Sequence, residues 1–337
     1  MNIGFCGVGT VASWVSSILN QLGDEKIRLY ACAASHLEKA QAFAEKFGFE
    51  KAYGSTEELF ADGKVDVVYI AVPNDAHYAL CRRALESGKH VICEKPFAVN
   101  DAQCAEQIAL AREKGLFLSE ALWPAFLPAH RIIDEEIARG TIGEVVSGRI
   151  VMLDSVMFLE RVKRLETGGG SLLDGGPYTL GCMVKHFGTD IEKVENHARL
   201  LPSGVDAEDE ITVTYRDGRV VTIRQTIDIP REEHEDYFEI VGTKGKIRAD
   251  AVANPRRVVF TDLEGNVILE PSLPPQIKNQ GMPPVSGYEY EFIAFEKAIA
   301  SGKKETAEAP LSDTQAISRI MTEARRQAGV VFPFEEG

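Results

Sequence analysis

Asp174 and Tyr178 close the stretch GGGSLLDGGPY, residues 168–178, where a four-residue spacing sets a carboxylate and a phenol on one helical face. Such a pair suits acid/base work on a hydroxyl. The triple glycine before them lets backbone approach a ligand without side-chain obstruction. Pro177 is tolerated only in a first turn, so a helix is expected to begin near Asp174. Asp174 as an N-cap, with Tyr178 packed over that turn, explains the same residues. A second polar pair, Glu94 and Lys95, ends the apolar run 90–93 and is followed by Pro96. Dense polarity at the end of a buried strand reads as a site more readily than as a solvated face.

The elements that must position these groups begin at the first residues. The apolar run 2–6 leads into Gly7, Val8, Gly9, Thr10, Val11 and Ala12, a GxGxxA pattern followed by helix-like sequence to Leu22. The first glycine permits a tight strand-to-helix turn, the second lets backbone approach a pyrophosphate, and the small third residue allows close packing. Strand-like runs at 27–33 and 65–71 and helix-like sequence at 37–47 continue the alternation, and Ser55 with Glu58 forms a capping box. A doubly wound parallel sheet of the Rossmann type follows, with a helix N-terminus offered to phosphate.

The nucleotide's 2′ position is read where the second strand ends, at Ser35, His36 and Lys39. No acid stands at 34–36, which leans toward NADP, with NAD possible because Glu38 is close. Val72, Asn74 and His77 occupy the next strand-to-helix turn and Glu94 and Lys95 the one after, so they join the cofactor group. For Asn74 and His77, capping and surface exposure explain the sequence equally well.

Composition narrows the partners. At 337 residues the chain has room for two domains, and 45% hydrophobic with 26% charged residues is a globular profile. A net charge of −14 opposes nucleic acid and anionic membrane and favours a small-molecule partner. The six cysteines form no CxxC pair and read as reduced and packed. Met1 leads directly into the first strand without a signal-like segment, and no apolar run is long enough to span a bilayer, so a cytoplasmic location is expected. The seven histidines lack metal-ligand spacing; a metal centre would have to be assembled from distant segments, and none is expected.

GFCGVGTVA, CEKP and GGGSLLDGGPY, in this order, resemble the glucose-fructose oxidoreductase, inositol dehydrogenase and MocA (Gfo/Idh/MocA) family of pyridine-nucleotide oxidoreductases, over nearly the whole chain. KAYGSTEEL, CEKPFAVN, EALWPAF, GGGSLLD and VDAEDEITV are similar to the branch containing trans-1,2-dihydrobenzene-1,2-diol dehydrogenase and NADP-dependent D-xylose dehydrogenase. The resemblance implies that Lys95 is the family's EKP lysine and that Asp174 and Tyr178 are its aspartate and acid/base residue. It also implies sheet-to-sheet dimerisation. Ala125 stands where that branch often has an arginine after the tryptophan, and Pro177 immediately precedes the tyrosine. A lost arginine would change the substrate pocket.

The second half turns to strand-like runs at 144–153, 191–201, 210–215, 219–228, 237–241 and 246–249, with Asp217–Gly218 as a hairpin signal. Consecutive strands imply an α+β domain with a mainly antiparallel sheet, so residues 1–120 are expected to bind dinucleotide and 121–337 to bind substrate and oligomerise, with the C-terminal helix free to pack back on the first domain. The alternation along 220–227 leaves one face less buried, open to solvent or to a second subunit. Residues 158–167 are charged and aperiodic, reading as a mobile loop in which Arg161, Lys163 and Arg164 are a solvated run or ligand contacts. Arg149 and Trp123 join Asp174 and Tyr178 as substrate contacts, Trp123 is also placed with the cofactor group, and ordinary packing explains Trp123 as well. Helices are expected at 127–139, 288–300 and 311–328, the last capped by Ser312 with Gln315.

The chemistry expected is hydride transfer between NADP and a hydroxyl-bearing carbon of a sugar, polyol or cyclic diol. A tyrosine titrates near pH 10, and an ammonium beside it together with oxidised nicotinamide favours the phenolate. Tyr178 is therefore the acid/base, Lys95 the cation that activates it, and Asp174 the orienting group. An NAD-dependent inositol or sugar dehydrogenase and a catalytically silent NADP-binding sensor are the alternatives.

Overall fold

A computed structural model describes residues 1–281 and 283–335 and divides the chain into two compact units. The first comprises Met1–Phe126 and Pro275–Thr314. Its strands β1 (Asn2–Cys6), β2 (Arg28–Ala33), β3 (Lys51–Tyr53), β4 (Val67–Ile70), β5 (His90–Glu94) and β6 (Leu118–Ala121) form one sheet in the order β3-β2-β1-β4-β5-β6. Every pairing is parallel, as the alternation of strands with α1 (Thr10–Leu22), α2 (Leu37–Phe47), α3 (Thr56–Ala61), α4 (Asn74–Glu86) and α5 (Asp101–Lys114) requires. The central strands are apolar throughout because helices cover both faces; Val67, Val68, Tyr69 and Ile70 are all fully buried. Chain order reverses between β1 and β4, and the turns carrying Gly7, Val72 and Lys95 leave this region of the sheet at its carboxyl edge.

The second unit comprises residues 127–274 and the chain from Gln315 onward. It opens with α6 (Pro128–Ala138), then β7 (Val145–Leu153), α7 (Ser171–Asp174) and α8 (Gly176–Phe187). Its eight-stranded sheet runs β14-β13-β12-β11-β7-β10-β9-β8, with β8 Ile191–Leu200, β9 Asp206–Tyr215, β10 Val220–Thr226, β11 Glu235–Gly242, β12 Gly245–Ala249, β13 Val258–Asp262 and β14 Val267–Leu269. The β7–β10 pair is parallel and the others antiparallel, so the mainly antiparallel expectation holds with one parallel step. One face packs on helix: a Cβ on Gly148 would stand 2.5 Å from the Phe187 ring of α8. The other face is open and polar at Arg149, Glu210, Thr222 and Arg224.

The C-terminal helices, α9 (Glu289–Ala300) and α10 (Leu311–Ala328), depart from the expected division. Residues 275–314 belong to the first unit, where Phe292 and Phe295 of α9 pack on Tyr69, Phe117 and Phe126. A C-terminal helix packing back on the first domain is within the expectation, but an amphipathic helix does not announce which sheet its apolar face will cover, and the segment that returns is 275–314. Ser312 also lies inside α10 rather than before it, so the expected capping box is absent; Leu311 N–H donates instead to Glu305 at 2.6 Å. Strands β13 and β14 are short and were outside the expected set. No helix among the described residues is long and apolar enough to cross a membrane.

Candidate active site

In the first unit, Gly7 is fixed by geometry and Gly9 is not. Gly7 has φ +103°, and a Cβ there would stand 2.3 Å from the Ala71 carbonyl oxygen. A Cβ on Gly9 would meet nothing within 4 Å, so the protein's own packing does not demand a glycine. Open space in front of the α1 N-terminus, with no acid in its first turn, suits a pyrophosphate. Ala12 is fully buried, while Thr10 and Val11 stay accessible beside it. Ser35, His36 and Lys39 are exposed just beyond β2. These residues fit a dinucleotide.

The turns after β4 and β5 are locked together. His77, expected as a cofactor contact or a surface residue, is buried; its Nδ1 lies 2.8 Å from the Pro96 carbonyl and its Nε2 2.8 Å from that of Val72. Burial holds its pKa below the usual imidazole range, opposed by those two carbonyls. His77 thus braces the loop that carries Lys95, while Val72 and Asn74 remain half-buried at the turn. Lys95 is itself half-buried and joined to Pro96 by a cis peptide bond.

Glu94, expected in the cofactor group, is buried and faces inward. Its carboxylate accepts from the Tyr69 hydroxyl at 2.5 Å and from the Lys95 backbone N–H at 3.2 Å. Burial pushes its pKa up to about 7, with Tyr69 and Lys95 pulling against it. Glu120 was not foreseen as a site residue, although it opens the EALWPAF stretch. It is buried, accepts the Phe97 N–H at 3.2 Å, and is also raised to about 7 by burial. Glu120 and His77 clamp the two residues that follow Lys95. Trp123 stacks on Tyr288 at a ring separation of 5.0 Å and is 8% exposed, the packing role its sequence allowed.

In the second unit the glycine run serves the protein's own backbone. A Cβ on Gly169 would stand 2.6 Å from the Val162 carbonyl oxygen, and one on Gly170, φ +114°, would stand 2.3 Å from Asp206 Oδ1. Asp206 Oδ2 accepts the Leu172 N–H at 2.5 Å. Residues 158–167 are consequently tied down rather than loose: Val162 is fully buried, its carbonyl accepts the Gly170 N–H at 2.9 Å, and two 3-10 turns shape the segment.

Asp174 ends α7 and Tyr178 is the third residue of α8, with helical dihedrals at Gly175 keeping the pair on one face and Pro177 in the first turn. The capping reading fails, since α8 has Gly175 at its N-cap position without a side-chain cap. Asp174 pairs instead with Arg161, Oδ1 to Nη1 2.8 Å, which takes Arg161 out of the solvated run. Both Asp174 and Tyr178 are half-buried. Arg149 is not brought to them: it alternates with Gly148 on β7 and points to the open face, whereas Gly148 meets α8.

Residues 1–122 match the oxidoreductase family with an NAD-binding Rossmann fold, and residues 130–248 match the Gfo/Idh/MocA C-terminal domain. The chain belongs to the Gfo/Idh/MocA family and is an NAD(P)-dependent oxidoreductase. Among similar proteins, trans-1,2-dihydrobenzene-1,2-diol dehydrogenase of Mus musculus is 31% identical and that of Homo sapiens 32% identical, each alignment covering 98% of this chain and 97% of the relative. A 3-ketoreductase from Actinomadura kijaniata, solved with TDP-benzene and NADP, shares the fold at TM-score 0.81 and 23% identity, over 97% of both chains. An Agrobacterium radiobacter oxidoreductase solved with NAD+, L-tartaric acid and magnesium does so at TM-score 0.82 and 19% identity, over 98% of this chain and 96% of the other.

Proposed function

We propose that this chain is an NADP-preferring dehydrogenase of a cyclic trans-dihydrodiol or a related sugar or polyol, with Lys95, Asp174 and Tyr178 as its catalytic residues. The observation that carries the reading is the end-to-end similarity to dihydrodiol dehydrogenases in a chain that holds a lysine, an aspartate and a tyrosine at the corresponding motifs. Gly7–Ala12 and Ser35–Lys39 would hold NADP, which would supply the hydride acceptor.

Tyr178 takes the hydroxyl proton as the hydride leaves the same carbon, and returns it in the reverse direction. Lys95 has the role of the ammonium that favours the deprotonated oxygen in the transition state. Asp174, steadied by Arg161, orients the second hydroxyl of the substrate. The bracing of the Lys95 turn by His77 and Glu120 limits the search for reactive geometry.

The exposed, acid-poor end of β2 supports a 2′-phosphate, as does NADP in the Actinomadura structure. The open polar face of the second sheet is a candidate subunit interface, which light scattering on the purified protein tests. No disulfide joins the six buried cysteines, in keeping with a reducing, cytoplasmic compartment. Reduced-nicotinamide absorbance with NADP or NAD across dihydrodiols, aldoses and polyols tests the assignment; binding of NADP without turnover of any would favour the sensor.

A further inference from the structure

Helices α6 and α8 of the second unit bring together a set of side chains that the hydride chemistry does not use. His130 and Asp134 stand one turn apart on α6, and Cys182 and His186 one turn apart on α8. His130, Cys182 and His186 are buried, and a ligand atom from each lies within 4.8 Å of the other two. His130 Nδ1 faces His186 Nε2 at 2.9 Å. The two imidazoles stack with Phe238, whose ring is 5.7 Å from that of His130 and 5.6 Å from that of His186.

Asp134 settles which nitrogen of His186 is available. Its Oδ1 lies 2.7 Å from His186 Nδ1, and a carboxylate accepts, so Nδ1 carries the hydrogen and the neutral ring aims the Nε2 lone pair at His130. A carboxylate behind a histidine, with the opposite nitrogen facing a second histidine and a thiol, is the arrangement that orients metal-ligating imidazoles. We propose that His130, Cys182 and His186 bind a zinc-class divalent ion, held by Nδ1, Sγ and Nε2 respectively, with water in a fourth position.

The required movements are small. Zinc–nitrogen bonds of about 2.0–2.1 Å in a tetrahedron set the nitrogens about 3.3 Å apart, so the imidazoles part by about 0.4 Å. With zinc–sulfur at about 2.3 Å, each nitrogen–sulfur separation becomes about 3.6 Å, which a side-chain rotation of Cys182 supplies. On binding, the His130 hydrogen moves from Nδ1, where it bridges to His186 Nε2, to Nε2; Cys182 loses its proton to solvent and the thiolate forms the sulfur–metal bond. Asp134 is 38% exposed at its side chain and offers a way in from solvent. Lys185 Nζ, 3.6 Å from Asp134 Oδ2, opposes the incoming charge, and the thiolate and Asp134 offset it.

The test uses the full chain, stripped with chelator and titrated with Co2+ and separately with Zn2+. The expected result is one ion per chain, with a thiolate-to-cobalt charge-transfer band that Cys182→Ser removes. Asp134→Asn, which leaves all three ligands in place, should weaken zinc binding about 10–100-fold. Hydride transfer should change little in either variant. Less than stoichiometric metal in the folded wild type, or equal affinity in Cys182→Ser, would show a histidine pair only and overturn the site.

Discussion

Asp206 and Gly170 are fitted to each other: Asp206 Oδ2 accepts the Leu172 N–H at 2.5 Å, and a Gly170 Cβ would stand 2.3 Å from Oδ1. This contact sets the start of α7 and hence the placement of Asp174 and Tyr178. Asp209, buried nearby and bonded by Asn196 at 2.9 Å, is held well above the usual carboxyl range by burial first and by Asp206 second. Gly170→Ala and Asp206→Ala should each lower kcat about 100-fold through misplacement of the acid/base pair. Dinucleotide affinity, measured by fluorescence titration, should stay within about twofold because α1 is untouched. Unchanged kcat in both variants would separate this contact from catalysis.

Gly7 and Gly9 should answer differently to alanine. Gly7→Ala meets the Ala71 carbonyl in a left-handed backbone and should cost about 3 kcal/mol of stability. Gly9→Ala meets no protein atom and should change stability by under about 0.5 kcal/mol, yet weaken the dinucleotide about tenfold. Denaturant melts paired with cofactor titrations read both. Equal stability losses, with cofactor affinity intact in Gly9→Ala, would remove Gly9 from the phosphate site.

Ser35 stands exposed beyond β2, where a new carboxylate would oppose a 2′-phosphate and bind a 2′-hydroxyl. Ser35→Asp should shift the NADP/NAD ratio of kcat/KM toward NAD by about tenfold or more, about 1.4 kcal/mol. A ratio unmoved by this change would place the 2′ recognition elsewhere.

Three acids desolvated by burial lose stabilisation as pH rises toward neutrality. Burial raises Glu94 and Glu120 to about 7 and Asp236 to about 6. A raised folded pKa means stabilisation complete below the unfolded value near 4 and lost as pH climbs through the folded one. Glu120 alone, raised from 4.5 to about 7 in a fully buried setting, represents about 3 kcal/mol. His77, His90 and His130, held below the usual imidazole range by burial, work in the opposite sense as pH drops below about 6.5, and Glu323, lowered to about 2 chiefly by Arg326, does so below about 4. The acid contribution is therefore read as a difference: Glu120→Gln should raise the melting temperature relative to the wild type more at about pH 8 than at about pH 5. A wild-type-to-variant difference that does not change with pH would contradict the burial of Glu120 as a neutral group.

The first unit was legible because each of its signals is local: the GxGxxA turn, the apolar strands and the Ser55 cap all act within a few residues, and Ser55 does accept the Glu58 N–H at 3.3 Å. What sequence could not show were contacts between distant segments. The glycine run at 168–170 reads as room for a ligand until Asp206, more than thirty residues on, is seen filling the place of a Gly170 side chain. Arg161 looks solvated until it meets Asp174, and His77 looks like a helix-start residue until Pro96 and Val72 close over it. Arg149 lies apart from Asp174 and Tyr178 for a simpler reason. One residue of strand phase turns it away from α8, and phase in a run with mixed polarity is weakly specified.

The proposed roles of Lys95 and Tyr178 are tested most directly by the kcat/KM for NADP-dependent oxidation of trans-1,2-dihydrobenzene-1,2-diol in the wild type, Tyr178→Phe and Lys95→Ala. Wild-type turnover with losses of about 10²–10⁴-fold in both variants, at unchanged NADP affinity in Tyr178→Phe, is the predicted result. Near-normal kcat/KM in both variants would contradict it.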